Sequence, residues 1–158
     1  MKIGIMSDSH DNVTAVRKAV ALFEHEGVDA IIHAGDFVAP FSAKALLEAN
    51  TDIWAVFGNC DGEKEGLRNV IPHIEPPPFT TRLDGTTITI THNLPATAKA
   101  IPNDASVIIH GHTHMREISN DAGRLIVNPG ETCGMVSGLA TVAILDMDTM
   151  DCQIVELE

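Results

Sequence analysis

Residues 2–10, KIGIMSDSH, run an apolar segment straight into a carboxylate, Asp8, and an imidazole, His10, two positions apart. A short apolar run of this kind suits a buried strand, so residues 2–7 read as a strand with polar groups at its end. The same pattern recurs four times. Residues 30–34 lead into Gly35-Asp36, and residues 53–57 into Gly58-Asn59-Cys60-Asp61. Residues 86–91 lead into His92, and residues 107–110 into Gly111-His112-Thr113-His114. Strand ends are where open α/β sheets place their sites, and here five of them deliver hard oxygen or imidazole groups.

Helical periodicity fills the gaps in the first half. From residue 12 to 26, Val13, Val16, Val20 and Phe23 recur at helical spacing, with Asp11 or Asn12 as N-cap and Gly27 as the stop. Pro40 opens a second helix, expected to run to about residue 49. Such a βαβαβ start favours parallel strands with helices on the faces of the sheet. The second half reads as strands. Residues 79–83 and 86–91 flank Asp84-Gly85, a hairpin signal. Residues 116–119 and 125–128 bracket a turn at 120–123, and residues 139–146 and 152–156 close as an antiparallel pair. A short helix is expected over 63–70, and Pro76-Pro77-Pro78 reads as a rigid loop. The expected fold class is α/β, a two-sheet sandwich flanked by helices, with residues 1–158 as a single domain.

Composition narrows the function. The 158 residues are 44% hydrophobic, enough for one full core. Ten Lys and Arg against 22 Asp and Glu give a formal charge of −12, which disfavours nucleic acid or an anionic membrane as partner. A bound metal can still reverse that sign locally for an anionic substrate. No apolar run reaches the roughly 18 residues of a membrane span, and the opening residues reach Asp8 too soon for a signal peptide. Three cysteines, Cys60, Cys133 and Cys152, with no C-x-x-C pair, do not make a disulfide framework. The expected setting is a reducing cytoplasm.

Taken singly, each polar piece is ordinary. D-x-H arises readily by chance, Gly35-Asp36 is a turn pair, and Asn59 is a natural cap. Their joint appearance at successive strand ends is not ordinary. In an extended segment, side chains two apart point to the same side, so Asp8 with His10, and His112 with His114, are expected to face one cavity. Carboxylate, imidazole and amide ligands without thiolate suit Mn²⁺, Fe²⁺ or Zn²⁺. Asp8, His10, Asp36, Asn59, His92, His112 and His114 exceed what one ion needs; two ions sharing one carboxylate would use all seven. The sequence argues against a thiol phosphatase, because the C-x5-R pattern fails: Gly66, not Arg, follows Cys60 by six.

The ordered set D-x-H, G-D, G-N-x-D, H and G-H-x-H resembles the signature of the calcineurin-like metallophosphoesterases. Residues 128–131, NPGE, followed by 140–146, ATVAILD, look like the small bacterial and archaeal phosphodiesterases of that superfamily, over nearly the whole chain. The resemblance implies a metallo-dependent phosphatase-like sandwich and a dinuclear site, with Mn²⁺ as the foremost metal and Ni²⁺, Fe²⁺, Zn²⁺ or Mg²⁺ as alternatives. By the family pattern, Asp8, His10, Asp36 and His114 would hold one ion, and Asp36, Asn59, His92 and His112 the other. Asn59, Cys60 and Asp61 are the expected catalytic group, with Cys60 either a weak proton donor or a space-filling side chain, and Asp61 either orienting Cys60 or a metal-bound water or serving as a turn residue. The family often has His at the position of Cys60, where it helps protonate the leaving group, and commonly continues past His92 as H-x-H, where this chain has Asn93-Leu94.

The implied activity is hydrolysis of a small phosphodiester or nucleotide-like substrate by a water activated between two ions. Competing readings are a non-catalytic scaffold on the same fold, like the retromer subunit that resembles these enzymes, and a phosphomonoesterase or nuclease of the superfamily. Degenerate ligands would favour the scaffold, and this chain keeps all seven. His33 and His110 sit in strands and read as supporting or core residues. His25 lies at a helix C-terminus, and His73 reads as exposed. Cys133 and Cys152 read as small apolar fillers, and Arg116 as a surface group or a phosphate contact. Edge strands in the second half make a homo-oligomer an open expectation.

Overall fold

In β1 (Lys2–Met6) the alternation of a strand divides its side chains between two cores. Ile3 and Ile5 enter one and Met6 the other. Gly4 lies under the Phe23 ring, where an added Cβ would come within 2.8 Å of the aromatic carbons. The computed structural model describes residues 1–158.

The first sheet has the order β11-β10-β1-β2-β3-β4. Its parallel strands are β1, β2 (Ala30–His33), β3 (Asp52–Val56) and β4 (His73–Glu75). β10 (Thr141–Asp146) returns antiparallel against β1, and β11 (Asp151–Glu156) completes the edge. The second sheet has the order β5-β6-β7-β9-β8, built from β5 (Phe79–Leu83), β6 (Thr86–Ile90), β7 (Val107–Ile109), β8 (Arg116–Asp121) and β9 (Arg124–Pro129). β6, β7 and β9 run parallel, and an antiparallel hairpin closes each side.

Two cores follow from this layering. Ile3, Ile5, Ile32 and Val56 of the first sheet meet Ile88, Ile90, Val107, Ile109 and Val127 of the second. On the other face of the first sheet, Ile31, Ile53 and Ala55 pack on Val16, Val20 and Phe23 of α1 (Val13–Glu26), Leu46 and Leu67. Full burial of each of these large side chains is worth about 1.5–3 kcal/mol. α1 starts where Asn12 Oδ1 accepts the Ala15 amide at 3.1 Å, and it stops at Gly27, whose φ of 66° suits a residue without Cβ. No helix is long and apolar enough to cross a membrane.

The architecture agrees with the sequence expectation, with local differences. The helix expected over residues 40–49 is four residues of α-helix, α2 (Pro40–Ala43), followed by a 3-10 segment, Lys44–Ala49. The short helix after the third strand is α3 (Lys64–Val70). β4 has only three residues, too few to show a period, and its His73 is exposed and stacks on Trp54 at 4.6 Å. α4 (Leu94–Thr97) is a single turn capped by Asn93. The β8–β9 hairpin extends to Asp121 and Arg124, so its turn is two residues rather than four.

Candidate metal centre

Polar groups from five strand ends converge where the two sheets meet. The loop after β1 carries Asp8 and His10, that after β2 carries Asp36, and that after β3 carries Asn59. His92 follows β6, and His112 and His114 follow β7. The expected strand-like geometry does not hold at these positions. Asp8, His10, Asp36, His112 and His114 all have positive φ, between 41° and 71°, and none lies in a strand. The D-x-H and H-x-H pairs converge because left-handed turns fold the chain back immediately beyond β1 and β7, not because alternate strand residues share a face. The loops after β2 and β3 approach closely at Gly58, where a Cβ would run into the Asp36 carboxylate.

Distances define one continuous cluster. His10 Nε2 lies 3.6 Å from Asp36 Oδ2 and 4.0 Å from Asp8 Oδ1, and His114 Nε2 is 3.6 Å from Asp8 Oδ1. His92 Nε2 sits 3.4 Å from Asp36 Oδ2. Asn59 Oδ1 approaches His92 Nε2 at 3.0 Å and His112 Nδ1 at 2.9 Å. All seven expected ligands are thus brought together, and Asp36 faces both halves.

The electrostatics favour a cation at the centre. Asp8 and Asp36 are both buried and share the cluster with His92. Burial pushes the Asp8 carboxyl above its ordinary value. Burial acts the same way on Asp36, but His92 and the Cys60 amide, which donates to Asp36 Oδ1 at 2.8 Å, reverse it. They hold Asp36 well below the usual carboxylate range. His92 is raised, burial being outweighed by Asp36.

The donor set fits a divalent metal. His10 Nε2 is buried and has no hydrogen-bond partner. His92 donates Nδ1–H to the Ala34 carbonyl at 2.8 Å, so the neutral imidazole would present its Nε2 lone pair to the Asn59 and Asp36 oxygens, an arrangement that only a proton or a cation at Nε2 satisfies. Acceptors aimed at acceptors, with an orphaned imidazole beside them, are what a cation resolves.

The three residues expected to do chemistry separate. Asn59 and Cys60 are exposed at the lip, with Asn59 Nδ2 donating to Cys60 Sγ at 3.2 Å. Asp61 differs from expectation. Its buried carboxylate accepts the amides of Gly58 at 2.7 Å, Val38 at 2.8 Å and Asp36 at 3.1 Å. It ties the loops after β2 and β3 together instead of reaching the lip.

Supporting residues complete the site. His33 is buried, accepts the Gly35 amide at Nδ1 (3.2 Å) and donates from Nε2 to Ser9 Oγ at 2.9 Å, stacked on Phe37. Asn128 donates to the Gly111 carbonyl at 3.1 Å and to Thr113 Oγ1 at 3.0 Å, bracing the turn that carries His112 and His114. Glu131, unassigned by the sequence reading, accepts from His114 Nδ1 at 2.7 Å. The signal that could have found it is the one used elsewhere, since NPGE is a further strand end carrying an acid. A cleft of about 360 Å³ leads away from Asn59, His92 and His112 toward Lys64, Pro77 and Thr97.

The comparisons agree with this geometry. A calcineurin-like phosphoesterase superfamily domain matches residues 1–150. Phosphodiesterase MJ0936 of Methanocaldococcus jannaschii is 37% identical over 166 residues, covering 100% of both chains. Phosphodiesterase YfcE of Escherichia coli K12 is 28% identical over 172 residues, covering 95% of this chain and 90% of its own. A solved structure described as a novel archaeal phosphodiesterase superposes with a TM-score of 0.89 at 36% identity, covering 99% of this chain and 100% of its own.

Proposed function

The chain belongs to the calcineurin-like phosphoesterase superfamily and is a phosphodiesterase, and we propose that it holds two divalent ions, Mn²⁺ foremost, and hydrolyses small phosphodiesters. Residues 1–158 would act as one catalytic domain. Asp8, His10, Asp36 and His114 would hold one ion, and Asp36, Asn59, His92 and His112 the other. The observation that carries this reading is the position of Asp36 Oδ2, 3.6 Å from His10 Nε2 and 3.4 Å from His92 Nε2, which suits a carboxylate shared between two sites.

When bound, such ions supply Lewis acidity toward phosphoryl oxygens and lower the pKa of a coordinated water. The protein's own groups set the rest. The Cys60 amide fixes Asp36, Asp61 clamps the loops that present Asp36 and Asn59, and Asn59 with His92 and His112 lines the approach from the cleft. Cys60 is exposed beside Asn59, and its thiol is pushed up to about 11 by burial and by Asp36. Its sulfur therefore carries a proton at neutral pH, which suits a weak donor to a leaving group and not a nucleophile.

The test is hydrolysis of bis-p-nitrophenyl phosphate by the chain before chelation, after it, and after return of Mn²⁺, with metal counted by elemental analysis. Two Mn²⁺ per chain and activity that disappears and returns with them are expected. One ion per chain would remove the dinuclear assignment, and full activity in chelator would remove the metal mechanism.

A further inference from the structure

Glu131 is completely buried, yet it is a carboxylate at the wall of the ligand cluster. Both of its oxygens are committed. Oε1 accepts the Val136 amide at 2.9 Å, the Ser137 hydroxyl at 2.7 Å and the Ser137 amide. Oε2 accepts His114 Nδ1 at 2.7 Å and the Cys133 thiol at 3.1 Å. Five donors converge on its two oxygens and leave no direction for a proton of its own, so the group is a carboxylate that can only accept.

Two roles compete for such a group. Glu131, Cys133 and His114 lie close enough to be read as a metal trio of their own. That role is disfavoured because every direction around the carboxylate already points at a donor, and the Cys133 sulfur is itself one of those donors. The buried Cys133 thiol points its proton at Glu131 Oε2, so its sulfur serves as a donor in this cluster. What remains is the bond to His114. An acceptor-only carboxylate at 2.7 Å requires His114 to carry its proton on Nδ1, which leaves the Nε2 lone pair facing Asp8 Oδ1 at 3.6 Å.

We propose that Glu131 is a positioning residue for the metal centre: its buried carboxylate fixes His114 in the Nδ1–H tautomer, with Nε2 turned toward Asp8, and anchors the 131–137 loop to that imidazole. The assignment rests on the metal-dependent reading of the site for its functional consequence. It separates His114 from the other ligands. His92 takes its proton partner from the Ala34 carbonyl, whereas His114 takes an anion, so its ring orientation is set by a charged partner. The same carboxylate gathers Val136 and Ser137, so the loop and the ligand share one anchor.

The test has a metal-free arm and a metal-loaded arm. In the first, long-range ¹H–¹⁵N spectra of the histidine-labelled, chelator-treated full chain report the tautomer of His114, assigned by loss of its signals in His114→Gln. The Nδ1–H tautomer is expected in the unaltered chain, and a mixed or Nε2–H population in Glu131→Gln. In the second, calorimetric titration with Mn²⁺ compares the unaltered chain with Glu131→Gln and Ser137→Ala. Glu131→Gln should weaken Mn²⁺ binding by about 10–100-fold, the range for groups that orient a metal-ligating histidine. Ser137→Ala removes one loop anchor but leaves the His114 contact, and it should change affinity by less than about threefold.

An Nε2–H tautomer in the unaltered chain overturns the proposal whether or not any variant folds. So does equal weakening by Glu131→Gln and Ser137→Ala, because the effect would then belong to the loop. A chain that takes up no Mn²⁺ while His114 keeps its Nδ1 proton defeats the metal reading and leaves the positioning role of Glu131 supported.

Discussion

The inner end of the cluster and its lip are held in different ways. Asp8 and Asp36 are buried, and backbone amides from neighbouring loops donate to them: His112 to Asp8 Oδ2 at 3.0 Å, Cys60 to Asp36 Oδ1 at 2.8 Å. Asp61 adds three more amides behind them. At the lip, Asn59, Cys60 and His112 are exposed and held chiefly by one another and by His92. A buried carboxylate needs compensation whether or not substrate is present, so the fold fixes it through groups that cannot move independently. The lip must meet a substrate, and its side chains keep the freedom to adjust.

Removing one residue from each end should break the symmetry most visibly. Asp36→Ala takes away the carboxylate that faces both halves and should abolish tight binding of both ions, with an activity loss beyond the ~10–100-fold typical of changes around a ligand sphere. Asn59→Ala should keep at least one ion and lose about tenfold. Metal content by elemental analysis and hydrolysis of an activated diester measure both. Retention of two tightly held ions by Asp36→Ala would take that residue out of the shared position.

The inner end should also dominate the response to acid. Burial holds the His33 imidazole down to about 3 against an ordinary 6.5. An unfolded chain takes up that proton near pH 6.5 and the folded chain refuses it until near pH 3. The contribution to stability is therefore complete above pH 6.5 and erodes as pH falls, by roughly 3–5 kcal/mol across the window. His110, also lowered by burial, steepens the slope, and His92, raised by Asp36, opposes it. Urea unfolding of chelator-treated protein from pH 7 to pH 4 should show this decline, and His33→Gln should flatten it. An unchanged slope in the variant would assign the acid sensitivity elsewhere.

How much of this was legible from sequence follows the same division. Chemistry-bearing residues at strand ends were readable because type, order and spacing all pointed one way, from Asp8-x-His10 to His112-x-His114. The means of convergence was not. Positive φ at Asp8, His10, Asp36, His112 and His114 is set by contacts between loops distant in sequence, such as the His112 amide on Asp8 and the Cys60 amide on Asp36, whereas local pattern suggests extended backbone. β4 and α4 were missed because three and four residues cannot display a period. Asp61 looked reactive in sequence because an acid beside Asn59 and Cys60 carries no mark of where its oxygens point. Glu131 carries no such mark either: NPGE entered only as part of a family resemblance, and its order does not show where the carboxylate points.

At the lip, Cys60→His sharpens the contrast. The amide of Cys60, not its side chain, donates to Asp36 Oδ1, so the replacement should leave metal content unchanged. An imidazole there places a stronger proton donor beside Asn59, and turnover of alkyl monoesters, whose leaving groups need a proton, should rise by up to about 10²-fold, the lower end for a positioned general acid. Activated nitrophenyl diesters should change little. A flat dependence on leaving-group pKa in both proteins would place Cys60 outside the path of the proton.

The smallest effect expected is that of salt. The chain carries −12 overall, so no broad positive field draws a polyanion toward it, and attraction is confined to the cluster and to Lys64 in the cleft. Attraction over that range is largely insensitive to screening, because the Debye length is about 10 Å at 0.1 M salt. KM for a small diester should therefore rise by less than about threefold between 50 and 200 mM salt, against the 10³–10⁵ lost by proteins that neutralise many phosphates. Long single- or double-stranded DNA at equal phosphate concentration should be cleaved far more slowly than the small diester, since the net charge of −12 opposes each further phosphate on the strand. A steep salt dependence together with efficient DNA cleavage would mean that residues well outside the cluster bind the substrate, and would replace the small-diester reading with that of a nuclease.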